Sequence, residues 1–131
     1  MRPHVTSSSQ ITKLQTWGWG VYITEPWHIA NGEKYIIFVP GTLTINQRIT
    51  VDEGGFLFFA AKEGIKIDDS VGNPPTASPT GDIEGIYITD GEFDTGMGNK
   101  QLIIEGTVVA KSLKQDRDLG VDNDLYPAVQ F

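Results

Sequence analysis

Few side chains in this sequence suit acid–base or nucleophilic chemistry. Its two histidines, His4 and His28, are the groups whose ordinary titration falls near neutral pH. A nucleophile–histidine–acid triad would have to use His28, beside Trp27, because His4 lies in the polar opening RPHVTSSSQ. No G-x-S-x-G turn is present to present a serine. Carboxylates are more plentiful, and Glu84, Asp90, Glu92, Asp94 and Glu105 fall where an outer sheet face could pair two of them for glycan cleavage. The same positions are also the polar half of a two-residue alternation. Keeping an exposed sheet soluble is their simpler role.

The stretch DRDLGVDND offers Asp116, Asp118, Asp122 and Asp124 as oxygen ligands for a hard cation such as Ca2+. It departs from an EF-hand loop, since Gly120 stands where a third ligand belongs and the closing glutamate is missing. A solvated acidic loop needs no ion. A bound Ca2+ here would tie the last coil of the chain to the tail LYPAVQF. Three tryptophans complete the candidates: Trp17 and Trp19 in WGWG, and Trp27. Exposed indoles stack on sugar rings or partner surfaces, and buried ones plug an open core. Capping one end is the preferred expectation.

The elements that must carry these residues are strands. Glycine and proline punctuate the chain, and no window sustains the apolar stripe of a helix. Strands are expected at 20–24, 34–39, 42–45, 48–51, 56–61, 65–67, 85–89, 92–94, 101–106 and 107–113. Asn31-Gly32 and Asp90-Gly91 are good hairpin dipeptides. Four segments nevertheless share one grammar, an apolar run, a glycine and a short alternating strand: IIFVPGTLTI, FLFFAAKEGIKI, GIYITDGEF and QLIIEGTVVA. Their glycines, Gly41, Gly64, Gly91 and Gly106, are 23, 27 and 15 residues apart. Such imperfect repeats predict a single-stranded, right-handed parallel β-helix, a β-solenoid of about five to six short coils. An antiparallel β-sandwich or jelly roll is the alternative.

Inward positions would be Ile36, Phe38, Leu43, Ile45, Ile49, Val51, Phe58, Ile65, Ile67, Ile86, Ile88, Phe93, Leu102, Ile104, Val108, Ala110 and Leu113. Residues 1–10 read as a linker, 11–131 as one domain, and the Pro-rich 72–82 as a protruding loop. With 131 residues the chain can bury a core without disulfides, and it has no cysteine. Its net charge of −7 disfavours nucleic acid and anionic lipid as partners. No apolar run is long enough to insert this segment in a membrane.

From Lys34 onward YIIFVPGTLTINQRITVDEGGFLFF, IKIDDSVGN, IEGIYITDGEFDTG, KQLIIEGTVVAKSLKQDRDLG and NDLYPAVQF follow one another. This series resembles uncharacterised bacterial cell-surface proteins, many from candidate phyla, with a β-solenoid-like domain and often near type IV pilus or secretion components. A looser likeness is to bactofilins, which polymerise through stacked solenoids. The resemblance implies a solenoid fold and an extracellular or cell-surface location, and carries no catalytic residues. The resulting expectation is a non-catalytic structural or adhesive module that assembles as a homo-oligomer or filament, or docks on a surface glycan or protein. A carbohydrate-binding module using its tryptophans is the first alternative, and a polysaccharide-active enzyme the second.

Overall fold

The computed structural model describes residues 4–5, 14–77 and 79–131. The chain opens with β1 (His4–Val5) and β2 (Leu14–Trp17), then begins to coil. β3 (Gly20–Ile23), β4 (Trp27–Ile29) and β5 (Lys34–Val39) make the first coil, and β6 (Thr42–Ile45), β7 (Ile49–Val51) and β8 (Phe56–Ala61) the second. β9 (Gly64–Ile67) and β10 (Ile83–Thr89) form the third, and β11 (Glu92–Gly98) with β12 (Leu102–Val109) the fourth. A further turn starts with β13 (Ser112–Arg117) and continues through a short 3-10 turn (Gly120–Asp124) to β14 (Val129–Gln130).

The coils stack in parallel. One sheet runs β1-β5-β8-β10-β12-β14 and the other β13-β11-β9-β6-β3-β2, with β4 and β7 pairing on a narrow third side. Every coil-to-coil ladder is parallel, and the antiparallel strand pairs described are β1 on β5 and β2 on β3 at the start of the chain. The chain is therefore a β-solenoid of about four turns. Five to six coils were expected, and the strand break expected after Gly106 falls inside one continuous strand, β12.

Alternation explains why the coils hold. In β6, β9 and β11 the inward residues line up as Leu43, Ile65 and Phe93, all fully buried, with Val21 before them. On the opposite sheet Ile37, Phe59, Tyr87 and Val108 form a second column, and on the narrow side Trp27, Ile49, Ile83 and Ile104 form a third. Aromatic rings run through the middle: Trp27 meets Tyr35 edge-on at 5.1 Å, and Phe59 stacks on Tyr87 at 5.8 Å. Each coil thus buries its apolar side on its neighbours rather than on itself.

The first broad sheet corrects the expected register by one residue. Ile36, Phe38, Phe58, Ile86 and Ile88 were expected inward, yet the buried positions are their neighbours Tyr35, Ile37, Val39, Leu57, Phe59 and Tyr87. Both faces of KYIIFV, FLFFAA and GIYIT are apolar, so a two-residue period cannot choose between them. The outer face consequently carries two apolar columns, Ile36-Phe58-Ile86 and Phe38-Ala60-Ile88-Val109.

Corners are closed by backbone hydrogen bonds along the stack. Gly41 N–H donates to Trp19 O at 2.8 Å, Glu63 N–H to Gly41 O at 3.0 Å and Lys111 N–H to Gly91 O at 3.0 Å. This column is the true repeat position. Gly106 does not belong to it, for it pairs with Gly85 within the sheet. Gly91 is required for space: a Cβ there would come within 2.2 Å of Glu63 O.

Two segments are more ordered than expected. β1 lies in the expected linker, where its backbone pairs with Ile37 and Phe38. The excursion at 72–82 lengthens the third coil but is fastened to the fourth: Asn73 bridges Gln101 in both directions, and Asp82 is fully buried.

Candidate functional site

The structure separates the three tryptophans. Trp27 belongs to the core, 1% exposed, and its fixed place among Tyr35 and Phe59 leaves no face for a ligand. Trp19 is 54% exposed at the tip of the β2–β3 hairpin. There Gly18 has φ of 60° while no non-glycine residue is left-handed, the combination a type II′ turn requires. WGWG is thus a hairpin that lays β2 across the first coil. Trp17 ends β2, and its side chain lies outside the described residues. Among the described residues, what borders the first coil on this sheet is strand β2, paired along β3. Trp19 borders a shallow recess of about 390 Å3 with Pro40, Lys62 and Glu63.

His28 has partners that the sequence reading missed. The parallel register sets it beside Thr50, whose Oγ1 is 2.9 Å from Nδ1, while Nε2 is 3.0 Å from Asp52 Oδ2. The three groups form a hydroxyl–imidazole–carboxylate relay on the outside of the narrow face. Half or more of the His28 and Asp52 side chains is exposed. Water competes for each hydrogen bond there, so the contacts orient the imidazole but hold it only weakly. The signal was available only after the 22-residue repeat placed His28 over Thr50.

The carboxylates considered for glycan chemistry fall in two places. Glu84 and Glu105 are directly opposite on β10 and β12, and both reach the space beside Gly81. Glu84 Oε1 accepts the Val51 N–H at 2.7 Å, which pins one of the two. A shallow groove of about 310 Å3 lies alongside, floored by Gly85 and Gly106 with Phe56 and Leu57. Glu92 and Asp94 are on the other broad sheet, where Asp94 Oδ1 accepts the Gly96 N–H, and Asp90 is at the corner between. Of the five, Glu84 and Glu105 are brought together beside this groove, whereas Glu92, Asp94 and Asp90 lie apart from them.

The four aspartates considered for Ca2+ are likewise engaged locally. Asp116 faces Lys114 Nζ at 3.6 Å, and Asp118 Oδ1 accepts from Gly120 N–H at 2.8 Å and from Asn123 Nδ2 at 2.6 Å. The backbone hydrogen bond from Gly120, with that from Asn123, holds the Asp118 carboxyl below its ordinary value. Asp122 and Asp124 belong to the 3-10 turn. Among the described residues no three His, Cys, Asp or Glu side chains gather to hold a metal ion.

The most elaborate polar arrangement was not foreseen. Arg117, 6% exposed, points inward from β13 and donates to four backbone carbonyls: Thr95 at 2.7 Å, Val71 at 2.6 Å, Asp68 at 3.0 Å and Lys100 at 3.2 Å. Burial draws its pKa down, opposed by the nearby Asp69, Asp82, Asp68 and Asp94. Asp82 is its counterpart one coil side away, accepting from Arg48 at 2.8 Å, Asn73 at 2.7 Å and the Ile103 N–H at 2.9 Å. Together they fasten the 72–82 excursion to the stack. Such a network satisfies buried backbone groups and specifies one arrangement.

What fold and surface define together is a short parallel β-solenoid with apolar columns on one outer face and, among the described residues, an exposed β13 edge. Comparisons with family models, with curated proteins and with solved structures found no match. Among the described residues no helix is long and apolar enough to cross a membrane.

Proposed function

We propose that the chain is a structural and adhesive module of an exported bacterial cell-surface protein, acting through its shape and its ability to self-associate rather than by catalysis. The observation that carries this reading is the accessible edge of β13. Among the described residues β13 pairs with β11 on one side only, and its residues Ser112–Asp116 are all exposed. An unpaired, accessible strand edge is a template for another strand. The outer apolar columns Ile36-Phe58-Ile86 and Phe38-Ala60-Ile88-Val109 add a flat surface of the kind that docking partners cover. Sedimentation velocity over a concentration series, with Ca2+ and with EDTA, tests the reading. Growth of a larger species with concentration supports it, and a strict monomer up to ~1 mM would overturn it, since even weak specific association shows in that range.

A second reading rests on Trp19. Its exposed ring beside Pro40, Lys62 and Glu63 suits stacking on one sugar residue. Titration of a glycan panel against intrinsic fluorescence separates the two readings, because only sugar contact is abolished by Trp19→Ala while self-association stays.

A further inference from the structure

The accessible edge of β13 also carries information about its partner. We infer that β13 pairs with β13 of a second copy of this chain, antiparallel and centred on Gln115, giving a closed head-to-head dimer. This rests on the self-association reading and makes it specific.

Alternation along β13 fixes which side chains face outward. Leu113 lies beside Phe93 of the core column and Arg117 is buried, so residues of that parity face inward. Lys114 and Asp116 face out, within 3.6 Å of each other and both 45% exposed. In an antiparallel pair, residues directly opposite share a face and lie ~4.5–5.5 Å apart at Cβ. Centring on Gln115 sets Lys114 of each copy against Asp116 of the other, and Ser112 against Asp118. Moving the centre to Lys114 or to Asp116 brings like charges together, which is destabilising. Moving it by half a residue would set inward positions against outward ones. Centring on Asp116 would also set Lys114 against Asp118, but only with Asp116 against its own copy, so Gln115 is the one centre in this strand that opposes unlike charges without opposing like ones.

The surroundings agree with that register. Leu113 is 49% and Phe131 53% exposed beside an open recess of about 660 Å3 that also touches Val108 and Ala110, an apolar end that a second copy would cover. β14 pairs with Leu102 and Ile103 of β12, so at this end the rest of β12 and the whole of β13 present open edges among the described residues. At the opposite end β2 pairs along β3, and β1 pairs with Ile37 and Phe38 of β5. A joint between two identical ends uses them up, so assembly by this contact stops at two.

The test compares the wild type with Lys114→Asp, Asp116→Lys and the double exchange, all at exposed positions. Sedimentation velocity should give a monomer–dimer equilibrium for the wild type. Each single reversal should weaken Kd tenfold or more, and the double exchange should bring it back to within about threefold, because the opposed charges are merely swapped. Since the chain has no cysteine, Gln115→Cys adds a second readout: mild oxidation should yield a covalently bridged dimer. Species larger than the dimer, single reversals that bind like the wild type, or no bridge at position 115 in a protein that still associates would each overturn this register while leaving self-association standing. A monomer at every concentration would overturn both.

Discussion

At the scale of the residue, Arg117 and His28 show how differently similar contact patterns weigh. Arg117 donates to four carbonyls, those of Thr95 and Val71 in buried hydrogen bonds and those of Asp68 and Lys100 in part-buried ones, so Arg117→Ala strands them and should destabilise the fold by about 3 kcal/mol. His28 holds Thr50 and Asp52 in open solvent, and His28→Ala should cost under about 1 kcal/mol. Chemical denaturation of the two variants checks the contrast. Acid titration checks a second consequence. The Ser70 hydroxyl and N–H hold the Asp68 carboxyl below its ordinary value of 3.8, and Asp118 is lowered in the same direction. A carboxylate with a lowered folded pKa binds fewer protons folded than unfolded, so its stabilisation is complete above 3.8 and drains as pH falls through the lowered values. Melting temperature should therefore be insensitive to these two groups from neutrality to about pH 5 and fall below that. Sequence reasoning named Asp116, Asp118, Asp122 and Asp124 as a group because they are neighbours in the chain, whereas Arg117, which lies among them, was given no role. Its partners are 17 to 49 residues away, a distance no local pattern reports.

At the scale of the element, strand existence was legible and strand facing only half so. β6, β9 and β11 alternate apolar with polar residues, and their inward set follows directly: Leu43, Ile45, Ile65, Ile67 and Phe93. β5, β8 and β10 carry apolar side chains on both faces, so the choice between Ile37 and Phe38 rested on nothing in the strand itself. What decides it is the corner. Gly41 must sit against Trp19 O, and counting back from it places Val39 inside. Truncation measures the outcome: Ile37→Ala should cost 2–5 kcal/mol through a cavity, and Phe38→Ala about 1 kcal/mol through loss of its edge-on contact with Phe58. A larger loss at Phe38 than at Ile37 would mean the strand faces the other way. β4 escaped notice because WHI is too short to alternate visibly; the repeat from Trp27 to Ile49 is its only mark.

At the scale of the whole molecule, the question is whether four coils behave as four units or as one. Solenoids bind each repeat only to its neighbours, so their cooperativity depends on how continuous the interior is. Here the aromatic series Trp27, Tyr35, Phe59, Tyr87 and Phe93 passes from the first coil to the fourth with ring contacts between 5.1 and 6.5 Å. The Arg117 and Asp82 contacts add ties that skip along the chain, joining the start of the last turn to the third and fourth coils. A break in one coil therefore exposes apolar surface in the next, and the stack should unfold in a single transition. Trp27 reports on the first coil's interior once Trp17 and Trp19 are replaced by phenylalanine, and Arg117 anchors the far end. In that double variant, Trp27 fluorescence and far-UV circular dichroism should melt together within about a degree. Adding Arg117→Ala should lower both curves by the same amount, although the substitution lies coils away from the indole. If the indole signal kept its original midpoint while the dichroism shifted, the coils would be uncoupled, and the rigidity of this stack would end at the coil that was loosened.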